Sequence, residues 1–122
     1  MELIFVLDTS VVIHLLQGSV ALNSYPANSV VYCSIITEIE LLGWHKISFS
    51  QRTAVEKFLN QITVMPIDDP IKQTAIELRK TNKLKTPDAI IAATAVVLEA
   101  VLLTNDQRLL GLPGVKSSSL GG

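Results

Sequence analysis

The sequence predicts an α/β fold, a three-layer α/β/α sandwich around a central and mostly parallel sheet. Short apolar runs rich in β-branched residues alternate with longer segments of helical periodicity, which is the element order typical of parallel sheets. Apolar residues make up 48% of the 122 positions and charged residues only 17%, as expected when a sheet is buried on both faces. The length corresponds to a single domain over residues 1–122.

The first half of the chain contains two predicted strands and three predicted helices. Strands are expected at Leu3–Leu7 and Ser29–Cys33, because both runs are short, apolar and uninterrupted. Each helix has a start or stop signal nearby, such as a capping residue or a glycine. The first helix is predicted at Val11–Gln17, after the cap Asp8-Thr9-Ser10 and before Gly18. The second begins at the capping-box pair Thr37 and Glu40 and ends at about Trp44. The third is predicted at Ser50–Gln61.

The second half continues the alternation with two strands and two long helices. Ile62–Ile67 is predicted to be a short strand near an edge of the sheet, because Pro66 interrupts it. Capping residues followed by proline predict helices at Ile71–Thr81 and from Thr86 to about Glu99. The remaining predictions are a strand at Val101–Leu103, a turn at Thr104–Asp106, one helical turn at Gln107–Leu110 and a flexible tail at Ser117–Gly122.

Composition and short motifs exclude several kinds of protein. The single cysteine, Cys33, excludes an intramolecular disulfide and fits a reducing compartment. The most apolar stretch, residues 89–103, has 15 residues and contains Glu99, so it is too short for a membrane span. The N-terminal residues lack the basic region of a signal peptide, and no P-loop sequence GxxxxGK(S/T) is present. We therefore expect a cytoplasmic protein without membrane association.

Four acidic residues lie close to the ends of predicted strands or the starts of predicted helices. Asp8 and Asp106 each follow a strand directly. Asp88 falls in the first turn of a helix, and Glu40 lies in the helix that Thr37 is expected to open. Each has an ordinary structural interpretation, either as a helix cap, as a capping-box partner, as a charge favourable to the helix dipole or as a turn residue. Individually, these structural roles are the simpler interpretations.

Together, the four acids favour a metal site. All four lie at predicted helix starts, and a parallel fold places the helix starts that follow strands at one edge of the sheet, where ligands bind in such sheets. Two unit charges ~5 Å apart repel by about 3 kcal/mol at an effective dielectric constant of roughly 20. Burial or a shared proton relieves part of this repulsion, and a bound divalent cation relieves it best. Carboxylate oxygens suit Mg²⁺ or Mn²⁺, so a site for one of these ions is one of the open interpretations.

Four segments that contain these acids occur in order along the chain: LDTSVVIHLL, SIITEIELLG, TPDAIIAATA and LLTNDQRLLGLPGV. They resemble the ordered motifs of the PIN-domain nucleases, and most closely those of the VapC-type toxins of toxin–antitoxin pairs. The resemblance extends from about Leu3 to Val115. It implies that the catalytic and metal-binding acids are Asp8, Glu40, Asp88 and Asp106. It also implies that Thr104 supports the site by hydrogen bonding, and Ser10 and Asn105 are further candidates for such support.

The same resemblance implies an activity and a set of partners. The expected activity is Mg²⁺- or Mn²⁺-dependent hydrolysis of RNA phosphodiester bonds. The expected partners are RNA, a VapB-like antitoxin and a second copy of the chain in a homodimer. A PIN-like binding module without catalysis and a solitary RNA-processing nuclease are the alternatives that the sequence leaves open.

A basic stretch shortly before Asp88 has both a structural and a functional interpretation. The net charge is −1, so the chain has no general basic excess of the kind that many nucleic-acid-binding proteins carry. A solvated helix face followed by a loop explains the stretch most simply. Its position next to a predicted site acid also makes its members candidates for contacting the RNA backbone. These candidates are Arg79, Lys80, Lys83 and Lys85.

Three apolar residues and two histidines complete the candidates. Trp44, the single tryptophan, is expected to pack in or near the core. The resemblance to VapC-type proteins implies instead that Trp44, with Leu15 and Leu16, lines an apolar groove for an antitoxin peptide. His14 and His45 lack the spacing of metal ligands, so no zinc site is predicted.

Overall fold

Five parallel strands form one sheet in the part of the chain that the structure describes. The structure is a computed structural model that describes residues 3–18 and 29–119. The strands are β1 (Leu3–Leu7), β2 (Ser29–Ser34), β3 (Thr63–Met65), β4 (Val101–Leu103) and β5 (Ser117–Ser118). Their order across the sheet is β3-β2-β1-β4-β5. The predicted parallel sheet is confirmed, and β3 lies at an edge as expected.

Helices cover both faces of this sheet. They are α1 (Thr9–Leu16), α2 (Ile35–Leu42), α3 (Phe49–Leu59), α4 (Asp69–Thr81) and α5 (Thr86–Val97). Val6 of β1 packs in one buried group with α4 and α5, whereas its neighbour Leu7 packs in a second group with α1, α2 and α3. Successive strand residues point to opposite faces, so these two groups form the two cores of a three-layer sandwich. That predicted architecture is therefore confirmed.

The three central strands end level with one another. Leu7 of β1 is paired with Cys33 of β2 and with Leu103 of β4. The residues that follow these strands therefore meet at one edge of the sheet. Burial raises the pKa of the Cys33 thiol to about 12, so this side chain stays neutral and packs as a small apolar group.

Helix starts differ from the prediction where a different residue supplies the cap. Ser34 accepts a hydrogen bond from the backbone N–H of Ile36 at 3.0 Å, so α2 begins at Ile35. The predicted capping box of Thr37 and Glu40 is therefore wrong, and Thr37 lies buried inside the helix. A capping box does form at the start of α3, where Ser48 and Gln51 bond reciprocally.

The segment from Ser117 is not the frayed tail that its small residues suggested. Ser117–Ser118 forms β5, because the open edge of β4 offers backbone groups that need partners. Leu102 donates to the carbonyl of Lys116 at 2.8 Å, and Thr104 donates to that of Ser118 at 3.0 Å. Residues 120–122 of the predicted tail lie outside the described residues. None of the described helices has the length and apolar character needed to cross a membrane.

Candidate active site

Asp8 lies directly after β1 and is held in a fixed position. Its side chain is buried, with 6% of its surface exposed. Its Oδ2 accepts one hydrogen bond from the Thr104 hydroxyl and a second from the Ser10 hydroxyl at 3.1 Å. Although Asp8 stands at the cap position of α1, its side chain makes no capping bond to the helix. Thr104 and Ser10 therefore fix the carboxylate of Asp8, and their support of a metal site stays a prediction.

Thr104 connects Asp8 to a second acid. It follows β4, the strand next to β1, and it is fully buried. Its hydroxyl donates to Asp8 and accepts from the backbone N–H of Asp106 at 3.0 Å. One hydroxyl therefore fixes the carboxylate of Asp8 relative to the backbone of Asp106. Asn105, between them, is exposed in the loop.

Asp106 forms close contacts with Arg108, a residue that the sequence analysis did not single out. Arg108 donates from Nε to Oδ1 at 3.2 Å and from Nη2 to Oδ2 at 2.8 Å. Its backbone N–H also donates to Oδ1 at 2.9 Å, which orders the turn as predicted for an aspartate here. These hydrogen bonds lower the pKa of Asp106.

Asp88 lies in the first turn of α5, on the other side of Arg108. Its Oδ2 is 3.7 Å from Nη2 of the same guanidinium. Burial raises the pKa of Asp88, and the charges of Asp106, Asp8 and Glu40 raise it further, while Arg108 acts against them. All four predicted acids are therefore close enough for three of them to influence the charge of the fourth. The parallel topology predicted this proximity for Asp8 and Asp106, which follow the paired strands β1 and β4, and a metal site formed by all four acids stays a prediction.

Glu40 lies near the other acids, but its position within its helix differs from the predicted one. It lies in the last turn of α2 and not at a helix start. Its Oε1 accepts a hydrogen bond of 2.7 Å from the hydroxyl of Thr9, the residue after Asp8. The Thr9 hydroxyl is also 3.0 Å from that of Thr37. Thr9 is a positioning residue that the sequence analysis missed, although its place beside Asp8 was a usable signal.

The four basic candidates lie at the end of α4 and in the loop that leads to α5. Arg79 donates from Nε to the carbonyl of Leu84 at 3.2 Å, which fixes this loop. Lys80 is 3.5 Å from Glu77 of the same helix, and both side chains are exposed. Lys83 is exposed, and so is Lys85, which directly precedes α5 and its Asp88. Contact with RNA stays a prediction for all four.

The carboxylates are the type of ligand that a hard divalent cation prefers, but they are not arranged as a coordination site. Mg²⁺ and Mn²⁺ prefer oxygen ligands, and either ion would relieve the repulsion among clustered carboxylates. In residues 3–18 and 29–119, however, no three His, Cys, Asp or Glu side chains are arranged to hold an ion. Between Asp88 and Asp106 the position next to the acids is taken by the Arg108 guanidinium. Carboxylate oxygens suited to such an ion are therefore present, and the Arg108 guanidinium contacts two of these carboxylates.

An apolar groove of about 460 Å³ borders the acid cluster. Its walls come from α1, α2 and α3, and Trp44 and Leu16 line it as the resemblance implied. Leu15 does not line it and packs against the buried group beneath α1 instead. Thr9 and Glu40 also line the groove, so the groove extends to the acids. A molecule bound in the groove would lie next to the candidate active site.

A sequence profile of the PIN domain matches residues 5–114. The chain belongs to the PIN-domain family. The matched region contains Asp8, Glu40, Asp88 and Asp106, so all four candidate acids belong to the PIN domain. No match is found among curated protein sequences.

Solved structures of toxin–antitoxin complexes contain chains similar to this PIN domain. A chain of such a complex from Klebsiella pneumoniae is 32% identical, covering 90% of this chain and 93% of that one, with a TM-score of 0.73. A chain of VapBC2 from Rickettsia felis, bound to a promoter DNA fragment, is 18% identical, with coverage of 96% and 98% and a TM-score of 0.84. DNA-bound VapBC from Salmonella typhimurium gives 21% identity, the same coverage and a TM-score of 0.80. These last two establish the shared fold.

Proposed function

We propose that this PIN domain is a metal-dependent endoribonuclease that uses Mg²⁺ or Mn²⁺. The observation that carries the proposal is the acid cluster at the carboxyl edge of the parallel sheet. Asp8 is fixed there by two hydroxyl donors, and the other acids are close enough to raise the pKa of Asp88. Perturbed carboxylates at a strand edge are typical of a catalytic site.

The residues that would hold the ion are Asp8, Glu40, Asp88 and Asp106. When bound, a divalent cation supplies a nucleophilic hydroxide and stabilises charge on the phosphodiester. The chain's own contribution is to fix the ligands: Thr104 and Ser10 orient Asp8, and Thr9 orients Glu40. Such orientation by neighbouring donors is usual at metal sites.

The decisive test combines a metal-binding measurement with an RNA-cleavage measurement on the same proteins. We expect Mg²⁺ or Mn²⁺ to raise the Tm and to permit cleavage of single-stranded RNA. Asp8→Asn should abolish the metal-induced Tm shift and reduce cleavage by about 10²-fold or more, since mutation of one key catalytic group has effects of this order. The control is Asp69→Asn, because Asp69 lies on the surface of α4, outside the acid cluster, with 91% of its side chain exposed.

A Tm that does not respond to either ion, together with no cleavage of several RNAs, would contradict this proposal. That result would leave a PIN-like binding module without catalysis. For the basic loop, the double variant Lys83→Gln/Lys85→Gln should weaken RNA binding without changing the metal-induced Tm shift. Because these contacts are expected to be with phosphates, the loss should decrease as salt is raised.

We further propose that the protein is the toxin of a VapBC-type pair, a cytoplasmic homodimer inhibited by a VapB-like antitoxin. The apolar groove and the 32% identical chain from a toxin–antitoxin complex support this role. The antitoxin is expected to place an apolar helix or extended segment against Trp44 and Ile13, which are partly exposed. Since the groove reaches Glu40, an occupant there would restrict access of RNA to the acids.

Two aromatic substitutions test the groove. Trp44→Ala should weaken binding of the product of an adjacent small reading frame by about 30-fold or more, as expected for an aromatic residue at the centre of an interface. Phe49→Ala is the matched control, because Phe49 is 86% exposed and does not line the groove. Equal losses in both variants would contradict the groove as the binding surface. A nuclease with no such neighbouring partner would instead be a solitary RNA-processing enzyme.

A further inference from the structure

We infer that Arg108 is an internal counter-ion that competes with the divalent cation for Asp88 and Asp106. The inference rests on the metal site proposed above and adds a residue that sets its affinity. Arg108 contacts both carboxylates with one nitrogen, at 2.8 Å from Asp106 Oδ2 and 3.7 Å from Asp88 Oδ2. Its Nε and backbone N–H both bond to the other oxygen of Asp106.

The position of Arg108 differs from that of an ordinary surface ion pair. The other ion pairs among the described residues join side chains three or four positions apart on one helix, as Arg52 and Glu56 do on α3. The contact of Arg108 with Asp88 instead connects the turn after β4 with the start of α5. Among residues 3–18 and 29–119, it is also the cation that forms an ion pair with Asp88. Arg108 therefore offsets part of the negative charge of Asp88 and Asp106 when no cation does.

A guanidinium and a metal ion cannot use the same carboxylate oxygens together. Arg108 has only donors and no lone pair to offer a cation, so it cannot become a ligand itself. A cation that binds Oδ2 of Asp106 must take the place of Nη2, and the two positive charges repel each other as it approaches.

The exchange requires little other change in the fold. The Arg108 side chain is 59% exposed and lies in the loop after β4, so it can turn into solvent while Asp8 and Thr104 stay in place. The consequence is a site whose negative charge is partly offset without metal, and which binds metal more weakly than its acids alone would.

The test measures Mn²⁺ binding to the RNA-free protein by calorimetry, or by the electron paramagnetic resonance of free Mn²⁺. Arg108→Gln should bind Mn²⁺ about tenfold more tightly than the unmodified chain, since a unit charge roughly 6 Å from a divalent ion has an effect of this size even in a water-like dielectric. Arg108→Lys should fall between the two, because it keeps the charge but loses the paired contact to Asp106. Arg52→Gln is the matched control, since Arg52 is also 59% exposed but lies on α3.

The possible outcomes separate this inference from the proposed nuclease activity. If the unmodified chain binds Mn²⁺ and cleaves RNA, but Arg108→Gln binds Mn²⁺ equally or more weakly, the inference is overturned and the nuclease assignment stands. If neither protein binds Mn²⁺, the metal site itself is wrong and the inference falls with it. Binding by Arg108→Gln where the unmodified chain shows none supports the inference. Circular dichroism of each variant establishes that it is folded, and Arg108→Lys provides the same comparison if Arg108→Gln is not.

Discussion

Different groups stabilise the charges of the acids at one edge of the sheet. Asp8 differs in this respect from the pair formed by Asp88 and Asp106. Asp8 is buried and accepts hydrogen bonds from two neutral hydroxyls. Asp88 and Asp106 are partly exposed and share the positive charge of one solvent-exposed arginine. The first arrangement fixes a geometry, whereas the second neutralises a charge with a side chain that can leave.

This difference suggests a division of roles within the site. A buried hydroxyl donor cannot be replaced by water without disturbing the core, so Asp8 keeps its position with or without a ligand. An exposed ion pair contributes little to stability and can exchange for another cation. We therefore expect substitutions around Asp8 to change folding stability most, and substitutions around Asp88 and Asp106 to change charge-dependent properties.

The largest expected effect on stability is that of Thr104→Val. Valine has nearly the same shape but removes the hydroxyl that Asp8 and the N–H of Asp106 both use. The buried carboxylate of Asp8 and the partly buried N–H of Asp106 then lose a partner, which should lower the free energy of unfolding by about 2–3 kcal/mol. Urea denaturation measures this change, and Thr94→Val is the matched control.

Thr94 is equally buried, but its hydroxyl donates only to the carbonyl of Ile90 within α5, so its loss should cost less than about 1 kcal/mol. Similar losses in the two variants would contradict a special role of Thr104.

An intermediate effect is expected at the pair of threonine hydroxyls that positions Glu40. Thr9→Val leaves the buried hydroxyl of Thr37 without this partner and removes the donor to Glu40. It should lower the free energy of unfolding by about 1 kcal/mol. The double variant Thr9→Val/Thr37→Val should be no less stable than Thr9→Val, since removing both polar partners is nearly neutral. A double-mutant cycle by urea denaturation tests this, and strictly additive losses would show that the two hydroxyls are independent.

Much of the fold could be predicted from the sequence because its signals are local. The alternation of buried strands with capped helices predicted the parallel sheet, and Pro66 correctly placed β3 at an edge. β5 could not be found in this way, since Ser117 and Ser118 carry no strand preference of their own. They are strand residues because the backbone of β4 needs partners, which is a tertiary effect.

The acids of the site could be predicted more completely than the groups that hold them. Asp8 and Asp106 follow strands, so the topology alone placed them at one edge. Glu40 was assigned to the site through the resemblance, and the capping box expected around it is wrong, because the cap of α2 is Ser34 and not Thr37. Arg108 was missed because its importance depends on a contact with Asp88, twenty residues earlier in the chain, and no local pattern reports such a contact.

The smallest expected effect is the opposite pH dependence of Asp88→Asn and Asp106→Asn, measured as Tm without metal. The pKa of Asp88 is raised, chiefly by burial, so its ionisation on folding is unfavourable and its contribution to stability decreases as the pH rises through that raised pKa. Asp88→Asn should therefore be a few degrees more stable than the unmodified chain at neutral pH, and the difference should vanish below the ordinary aspartate pKa of 3.8.

The pKa of Asp106 is lowered by Arg108, so its contribution is present at neutral pH and is lost as the pH falls through that lowered pKa. Asp106→Asn should accordingly be less stable at neutral pH and approach the unmodified chain in acid. If both variants shift the Tm in the same direction at pH 7, Asp88 and Asp106 do not occupy distinct electrostatic environments around Arg108.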